Sequence, residues 1–364
     1  MKYMVAMATE EKKRYESLDG LRGFAAISVL MFHLGHWFNM PSLAPNSGFA
    51  VDLFFCLSGY VLPLAYRRHV KSLYTIRFYL TRLIRLMPLI MLAIVISAPY
   101  VILRNGLSAA GIPYGAVATS VLLGLFNLPY FGASRTIGGP ELFPLNGPQF
   151  TLFLELLVNV LWWATRGIDQ LRLSLTLAVL SFLLLPLLGI GGDLPENFWS
   201  GFPYVGISFF AGVALYHLDG RIMHWRGWTA VFWSLVAVMV VIFYIPLEAP
   251  FVIRLFWMSI VSPLLVITGS RARLSARTSR ICLLGGALSY PIYCLHYPLF
   301  CWVNGLYRTR FGTQSIMVEG PLVVVLVLTL SFAALKLYDE PFRRILTNRL
   351  KRSDSINATG RLLI

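Results

Sequence analysis

Long apolar runs recur along almost the whole chain, and they limit what it can fold into. There are about eleven, at 19–38, 48–66, 83–103, 114–127, 147–166, 173–190, 203–217, 228–246, 251–270, 281–303 and 318–338. A helix that crosses the hydrocarbon core of a bilayer needs about 20 apolar residues, within a range of roughly 17 to 25. The run at 114–127 is the one whose length makes a crossing doubtful. We therefore predict an all-α integral membrane protein.

The charged residues support this prediction and exclude a second one. Only 13% of the 364 residues are charged and 57% are hydrophobic, whereas about a quarter of a soluble domain is charged. The net charge of +15 would suit a nucleic-acid partner if the basic residues formed a face or a tail on a soluble domain. They lie between apolar runs instead, so we expect no nucleic acid and a lipid bilayer as the surroundings.

Basic loops indicate the direction of each crossing, because cytoplasmic loops are enriched in Lys and Arg. The basic segments are 67–82, 217–227, 271–280 and the tail from Lys336, whereas 39–47, 191–202 and 247–250 contain no Lys or Arg. This pattern puts both ends of 114–127 outside, which predicts a re-entrant or interfacial segment there. We expect ten spans, with both termini in the cytoplasm.

The predicted organisation has three parts. A basic cytoplasmic N-terminus covers 1–14, a membrane domain covers 15–345, and a basic, poorly ordered cytoplasmic tail covers 346–364. The four cysteines all lie inside apolar runs, with no pair at metal-ligand spacing, so we expect no metal cofactor.

The first apolar run carries both an arginine and a histidine, Arg22 and His33. An ionisable side chain at a helix centre costs roughly 2.5 to 3.5 kcal/mol on insertion scales, so its presence favours a function. Eleven positions of a helix span about 16 Å, roughly half of a ~30 Å hydrocarbon core, and bring the two side chains to one face.

The topology gives the other polar residues a depth. His33, Asp52, Glu155 and His296 are predicted to point to one cavity in the outer half of the membrane, with a contact between His33 and Asp52. Arg22, Arg82 and Arg85 are predicted at the inner side. The sequence thus predicts an anion-binding cytoplasmic mouth below an acid/base cluster. Individually, the histidines could be packing residues and Arg82 and Arg85 ordinary basic flanks.

Six motifs in order carry a resemblance to a known family. They are SLDGLRGFAAISVLMFH (17–33), VDLFFCLSGYVL (51–62), TRLIRLMP (81–88), NGPQFTLFLELL (146–157), LGGALSYPIYCLHYPLF (284–300) and YDEPFRR (338–344). Together they resemble the acyltransferase family 3 membrane O-acyltransferases, from about residue 15 to 345. In TLFLE, a threonine replaces the serine that is more usual in this family.

The resemblance implies ten spans and transfer of an acyl group, usually acetyl, from cytoplasmic acyl-coenzyme A (acyl-CoA). The implied acceptor is a hydroxyl of an extracytoplasmic or lipid-linked glycan, and the implied location is a bacterial inner or plasma membrane. The resemblance also implies that Arg22 and His33 are needed for activity and that Arg82 and Arg85 bind the coenzyme A phosphates.

The residues are consistent with a mechanism of this kind. Arginine binds phosphate bidentately, and a neutral His33 imidazole can take the proton from the acceptor hydroxyl, oriented by Asp52 or Glu155. Tyr290, Tyr293 and His296 are candidates for substrate or oxyanion contacts. An acetyl-histidine intermediate stays open as a variant.

A function from another class is also compatible with the sequence. Asp, Glu and His inside a membrane build proton relays as well, so a proton-coupled transporter or a flippase for a sugar-containing substrate is the alternative. The arginine pair discriminates between the two, since a transporter of a neutral solute needs no phosphate site. The acceptor, the acyl chain length and the oligomeric state are not indicated by the sequence.

Overall fold

A computed structural model describes residues 15–67, 75–108, 111–133, 141–222, 225–247 and 250–361; the predicted basic N-terminus at 1–14 lies outside them. The helices are α1 Glu16–Trp37, α2 Ala50–Tyr66, α3 Thr75–Ser108, α4 Tyr114–Leu125, α5 Gln149–Ala164, α6 Gln170–Leu188, α7 Gly201–Leu218, α8 Trp228–Tyr244, α9 Pro250–Phe256, α10 Ser262–Gly269, α11 Ala276–Phe311, α12 Ile316–Ala333 and α13 Glu340–Arg361. A π-helical turn, Trp257–Val261, joins α9 to α10, and another, Ala334–Asp339, joins α12 to α13. No strand occurs in these ranges, which confirms the all-α prediction.

Seven helical segments are long and apolar enough to cross a membrane by length and composition. They include α1, α2, α3, α6, α7, the α9–α10 segment and α12. Three shorter apolar helices, α4, α5 and α8, also occur in the described part of the chain. The multi-pass character of the chain is therefore clear, while ten as the number of spans stays a prediction. The run at 114–127 forms the 12-residue helix α4, and whether it is re-entrant is untested.

The longest helix, α11, is bounded by local capping signals. Ser275 precedes it, and its hydroxyl accepts a hydrogen bond from the backbone N–H of Thr278, as a helix N-cap does. The helix ends at Gly312, whose φ of 72° is the left-handed conformation that glycine adopts at low cost. Between these caps, α11 has 36 residues, which carry Tyr290, Tyr293 and His296 on one continuous element.

Small residues let α1 and α11 pack closely and in parallel. A Cβ added to Gly23 would lie 2.6 Å from the Cα of Gly285, and one added to Gly20 would lie 2.5 Å from the Sγ of Cys282. Small residues at such contacts allow helix backbones to approach within the bilayer. The two pairs have the same sequence offset, so residues further along the two helices also face each other.

The structure gives the predicted tail at 346–364 a helical backbone as far as residue 361, while its order and its cytoplasmic location stay predictions. Residues Glu340–Arg361 form α13, which follows α12 directly and packs against α3. The basic composition of the tail suggests a solvated segment, but several positions of α13 lie against α3. As a result α13 becomes part of a cavity wall.

The α1–α11 contact leads to a stability prediction. We expect Gly23→Ala to destabilise the protein by about 1–3 kcal/mol, because the new methyl group would overlap the backbone at Gly285. The effect should appear as a lower Tm in thermal unfolding of the detergent-solubilised protein. Gly106→Ala is the control, because a Cβ at that exposed position of α3 meets nothing within 4 Å. Equal Tm values for the two variants would show that the glycine contact does not limit packing.

Candidate active site

A cavity of about 350 Å³ lies inside the bundle, between α1, α2, α3, α5 and α11. Its polar lining consists of Arg22, Ser58, Arg82, Arg85, Thr151, Glu155, Ser289, Tyr290, Tyr293, Asp339, Glu340 and Arg343. Six of the nine predicted site residues line it. The other three, His33, Asp52 and His296, lie outside this lining.

Arginines from three helices, α1, α3 and α13, line this cavity. Arg82 is 6% exposed, its guanidinium lies 5.3 Å from the ring centre of Tyr66, and its Nε is buried without a hydrogen-bond partner. Arg85, one turn further along α3, is exposed. Arg22 of α1 reaches the same cavity and lies 3.8 Å from its neighbour Asp19. Buried guanidinium N–H groups without partners are suited to an anionic ligand.

Glu155 lies among these arginines. Its Oε1 accepts a 2.7 Å hydrogen bond from the Ser58 hydroxyl, and its charge interacts with Arg22 and Arg82. The expectation that Glu155 orients His33 from a shared outer cavity is therefore corrected. A position on one helix gives the depth of a side chain but not its direction, and here the Glu155 carboxylate interacts with Ser58 and with the two arginines.

Asp52 is fully buried and has a partner that the sequence did not suggest. Its two oxygens accept hydrogen bonds from Arg254 of α9, from Nε at 2.9 Å and from Nη2 at 3.0 Å. Arg254 Nη2 also donates to the hydroxyl of Tyr204 at 2.8 Å. Within the described residues no hydrogen bond joins Asp52 to His33, so the predicted contact is corrected. A guanidinium offers a bidentate charged donor that an imidazole lacks.

A sequence signal for Arg254 did exist. The residue lies inside the apolar run 251–270, where an ionisable side chain needs a partner of opposite charge. The requirement for a partner would have pointed to Asp52.

The two histidines come together where α1 and α11 face each other. The ring centres of His33 and His296 are 5.1 Å apart, and the indole of Trp37 stacks on His33 at 5.3 Å. His296 Nδ1 lies 3.1 Å from the carbonyl oxygen of Ile292, while its Nε2 is buried without a partner. Since a carbonyl can only accept, a proton on Nδ1 would leave Nε2 as a free acceptor. His33 itself is half-buried.

Tyr293 lies between the cavity and the histidine pair. It lines the cavity, its ring centre is 5.8 Å from that of His296, and its hydroxyl is 2.6 Å from the Thr151 hydroxyl. The hydroxyl of Tyr290 donates to the backbone carbonyl of Leu86 at 2.6 Å. The Thr151 hydroxyl donates to the carbonyl oxygen of Pro148 at 2.9 Å, and the Tyr293 hydroxyl lies 3.4 Å from the same oxygen, so both tyrosine hydroxyls have acceptors within the protein.

The sequence of this chain is similar to those of known proteins. The family model described as an acyltransferase domain, that of acyltransferase family 3, matches residues 15–336. Protein 2 in the picA locus of Rhizobium radiobacter is 33% identical over 182 residues, which cover 44% of this chain and 88% of that protein. The peptidoglycan O-acetyltransferase OatA of Listeria monocytogenes is 24% identical over 215 residues, which cover 56% of this chain. That match covers 34% of OatA, and no solved structure matches the chain significantly.

The family match begins at the first described residue and includes every helix from α1 to α12. It also includes all the predicted site residues, from Arg22 to His296. Since the match covers most of the chain and the helices are those of a membrane-embedded bundle, the chain is a multi-pass membrane acyltransferase of the acyltransferase 3 family.

Proposed function

We propose that this enzyme is an O-acyltransferase that moves an acetyl group from cytoplasmic acetyl-CoA to a hydroxyl of an extracytoplasmic or lipid-linked glycan. The observation that carries the proposal is the cavity with arginines at one end and Tyr293, next to the histidine pair, at the other. The name of OatA, a peptidoglycan O-acetyltransferase, supports acetyl as the group and a glycan as the acceptor.

The proposed topology has ten spans: α1, α2, α3, α5, α6, α7, α8, the α9–α10 segment, α11 and α12. Seven of these meet the length and hydropathy expected of a membrane span; α5 and α8 are slightly shorter, and α11 is longer but less apolar. Helix α4 is then the re-entrant or interfacial segment, and both termini are cytoplasmic. On this topology the arginine end of the cavity faces the cytoplasm, where acetyl-CoA is available, and a bacterial inner membrane is the expected location.

In the proposed complex, Arg82 and Arg85 bind donor phosphates and the pantetheine arm extends into the cavity. Arg22 lies deeper in the cavity than Arg82 and Arg85. His33 lies about 16 Å beyond Arg22 along the axis of α1. The acyl end of the donor must pass Tyr293 to reach the histidines. Glu155 acts on the arginines in this arrangement, since its negative charge holds Arg22 and Arg82 toward the cavity.

His33 is the proposed general base. It takes the proton of the acceptor hydroxyl while the hydroxyl oxygen bonds to the thioester carbonyl carbon. The carbon–sulfur bond then breaks, and the thiolate takes the proton back from the imidazolium, which releases free coenzyme A and the acetyl ester. His296 and Trp37 contact the His33 ring and fix its orientation, in place of the carboxylates that the sequence suggested. Transfer through an acetyl-histidine is the alternative sequence of steps.

Thiol release tests the proposal directly. Purified protein in nanodiscs is given acetyl-CoA with and without a mixed pool of glycan acceptors, and free thiol is measured over time. Acceptor-dependent release is the expected result, and mass spectrometry of the pool then identifies the acetylated acceptor. Absence of both thiol release and coenzyme A binding would contradict the proposal and favour the transporter or flippase alternative.

The role of His33 predicts the effect of its removal. His33→Ala should lower acetyl transfer by about 10²- to 10⁴-fold, the usual contribution of a general base. Coenzyme A binding and Tm should stay close to the wild-type values, because His33 does not line the donor cavity. His36→Ala is the matched control, since His36 lies one turn away on the same helix and is exposed. Equal loss of transfer in both variants would point to a general disturbance of α1.

The role of Arg85 predicts a change in donor affinity. Arg85→Ala should raise the KM for acetyl-CoA by about tenfold to a hundredfold with a smaller change in kcat, because a charge-assisted hydrogen bond to phosphate is lost. Steady-state kinetics at saturating acceptor measures this. Arg172→Ala serves as the control, since Arg172 is an exposed arginine at the start of α6. A lower kcat at unchanged KM would place Arg85 in the chemical step.

The Asp52–Arg254 pair predicts separable effects on stability and activity. Asp52→Asn leaves a buried guanidinium without its counter-charge, so we expect a loss of about 3–5 kcal/mol of stability. The double variant Asp52→Leu with Arg254→Met removes both charges and should recover much of the Tm. Because Asp52 does not contact His33, the double variant should also keep transfer activity. A double variant that is stable but lacks transfer activity would contradict this prediction and indicate that Asp52 takes part in the reaction.

A further inference from the structure

A second cavity, of about 660 Å³, lies at the cytoplasmic end of the bundle. Its lining comes from the end of α2, the start of α3 and the helix α13, and consists of Ala65, Tyr66, Thr81, Arg82, Ile84, Arg85, Glu340, Arg343, Arg344, Thr347, Asn348 and Leu350. Four residues, Arg82, Arg85, Glu340 and Arg343, also line the first cavity, so the two adjoin. The family match ends at residue 336, before α13 begins.

The charge in this second cavity is strongly positive. Four arginines face one carboxylate, Glu340, which is paired with Lys336 at 2.7 Å. One nitrogen of Arg343 has a partner, because its Nη2 lies 2.6 Å from the Asp339 carboxylate, but its Nε is buried without a hydrogen-bond partner. The Nε of the buried Arg82 is likewise without a partner. The protein thus offers more guanidinium donors here than its own carboxylates occupy.

Arg344 differs from the other three arginines. It lines the second cavity only, it is exposed, and within the described part of the chain it forms no ion pair or hydrogen bond. Thr347 and Asn348, which can donate hydrogen bonds to phosphate or ribose oxygens, follow it on the same helix. Arg344 and Asn348 are four positions apart on α13, a spacing that places them on one helical face.

The order of groups along the donor can be compared with the order of the two cavities. In acetyl-CoA the acyl-pantetheine arm is followed by a diphosphate and then by an adenosine that carries a 3′-phosphate. If the arm occupies the first cavity, the diphosphate lies beside the residues common to both cavities, such as Arg82 and Arg85. The 3′-phosphate is then the group that reaches the residues of the second cavity alone.

We propose, building on the function above, that the second cavity binds the 3′-phosphorylated adenosine end of the donor and that Arg344 of α13 binds its 3′-phosphate. The C-terminal helix is thereby part of the donor site and determines a preference for coenzyme A over dephospho-coenzyme A, which lacks that phosphate. Arg344 does not contact the reacting atoms, so it contributes to donor affinity and specificity only.

Equilibrium binding without turnover tests this. The full chain is placed in nanodiscs of zwitterionic lipid, and Kd is measured for coenzyme A and for dephospho-coenzyme A. The wild type should bind coenzyme A about tenfold or more tightly than dephospho-coenzyme A. Arg344→Ala should lower the affinity for coenzyme A to that for dephospho-coenzyme A and leave the latter unchanged. Arg349→Ala is the matched control, because Arg349 is an exposed arginine of the same helix that lines neither cavity.

Each contrary outcome has a distinct meaning. If Arg344→Ala weakens both ligands equally, or neither, the assignment of the 3′-phosphate to Arg344 is overturned while the acyltransferase proposal stands. If the wild type neither binds coenzyme A nor releases thiol, the proposed function fails first and this inference fails with it. A phosphate-bearing lipid headgroup is the other source of the same chemistry. The same binding measurement is repeated in nanodiscs that contain anionic lipid. If Arg344→Ala changes binding only in those nanodiscs, the assignment of Arg344 to the donor is overturned.

Discussion

The close parallel contact of α1 and α11 at Gly23 and Gly285 sets the geometry of the site. Within lipid there is little hydrophobic gain from bringing two helices together, so their association depends on close backbone packing. Because the helices run in the same direction, the glycine contact fixes which residues face each other further along both helices. His33 and His296 meet for this reason, and Arg22 reaches the cavity below them on the same helix. One pair of glycines therefore aligns the anion-binding end with the histidine end.

Some of the buried charged groups have hydrogen-bond partners within the protein, and others do not. The first kind stabilises the fold, whereas the second kind is suited to bind a ligand. Asp52, Arg254 and Tyr204 form a network in which both carboxylate oxygens are paired, which leaves that carboxylate little capacity for a substrate. In the second cavity, guanidinium groups outnumber carboxylates, and the Nε of Arg82 is buried without a partner. A buried donor without a partner has a free-energy cost that a ligand can remove. The second kind is therefore where binding of an anion is expected.

The sequence predicted the helical class, the positions of the apolar runs and the arginine end of the cavity, because these depend on composition and on position along one helix. It did not predict the partner of Asp52. Depth in the membrane is fixed by distance along a helix, but the direction of a side chain depends on how that helix is rotated against its neighbours, and Asp52 turns to Arg254. The sequence did not predict the helix α13 either, because the basic composition of the tail is that of a solvated segment and does not show that this helix packs against α3.

Tyr293 gives the proposed enzyme a physical distinction from a transporter. Its ring packs edge-on against Phe54 at 5.7 Å, and its hydroxyl is held by Thr151, so the donor cavity ends there, next to the histidines. A transporter must open this boundary wide enough for a whole solute, whereas an acyltransferase needs to pass only a thioester and its small acyl group. A boundary of one aromatic ring and one hydrogen bond is adequate for the second task.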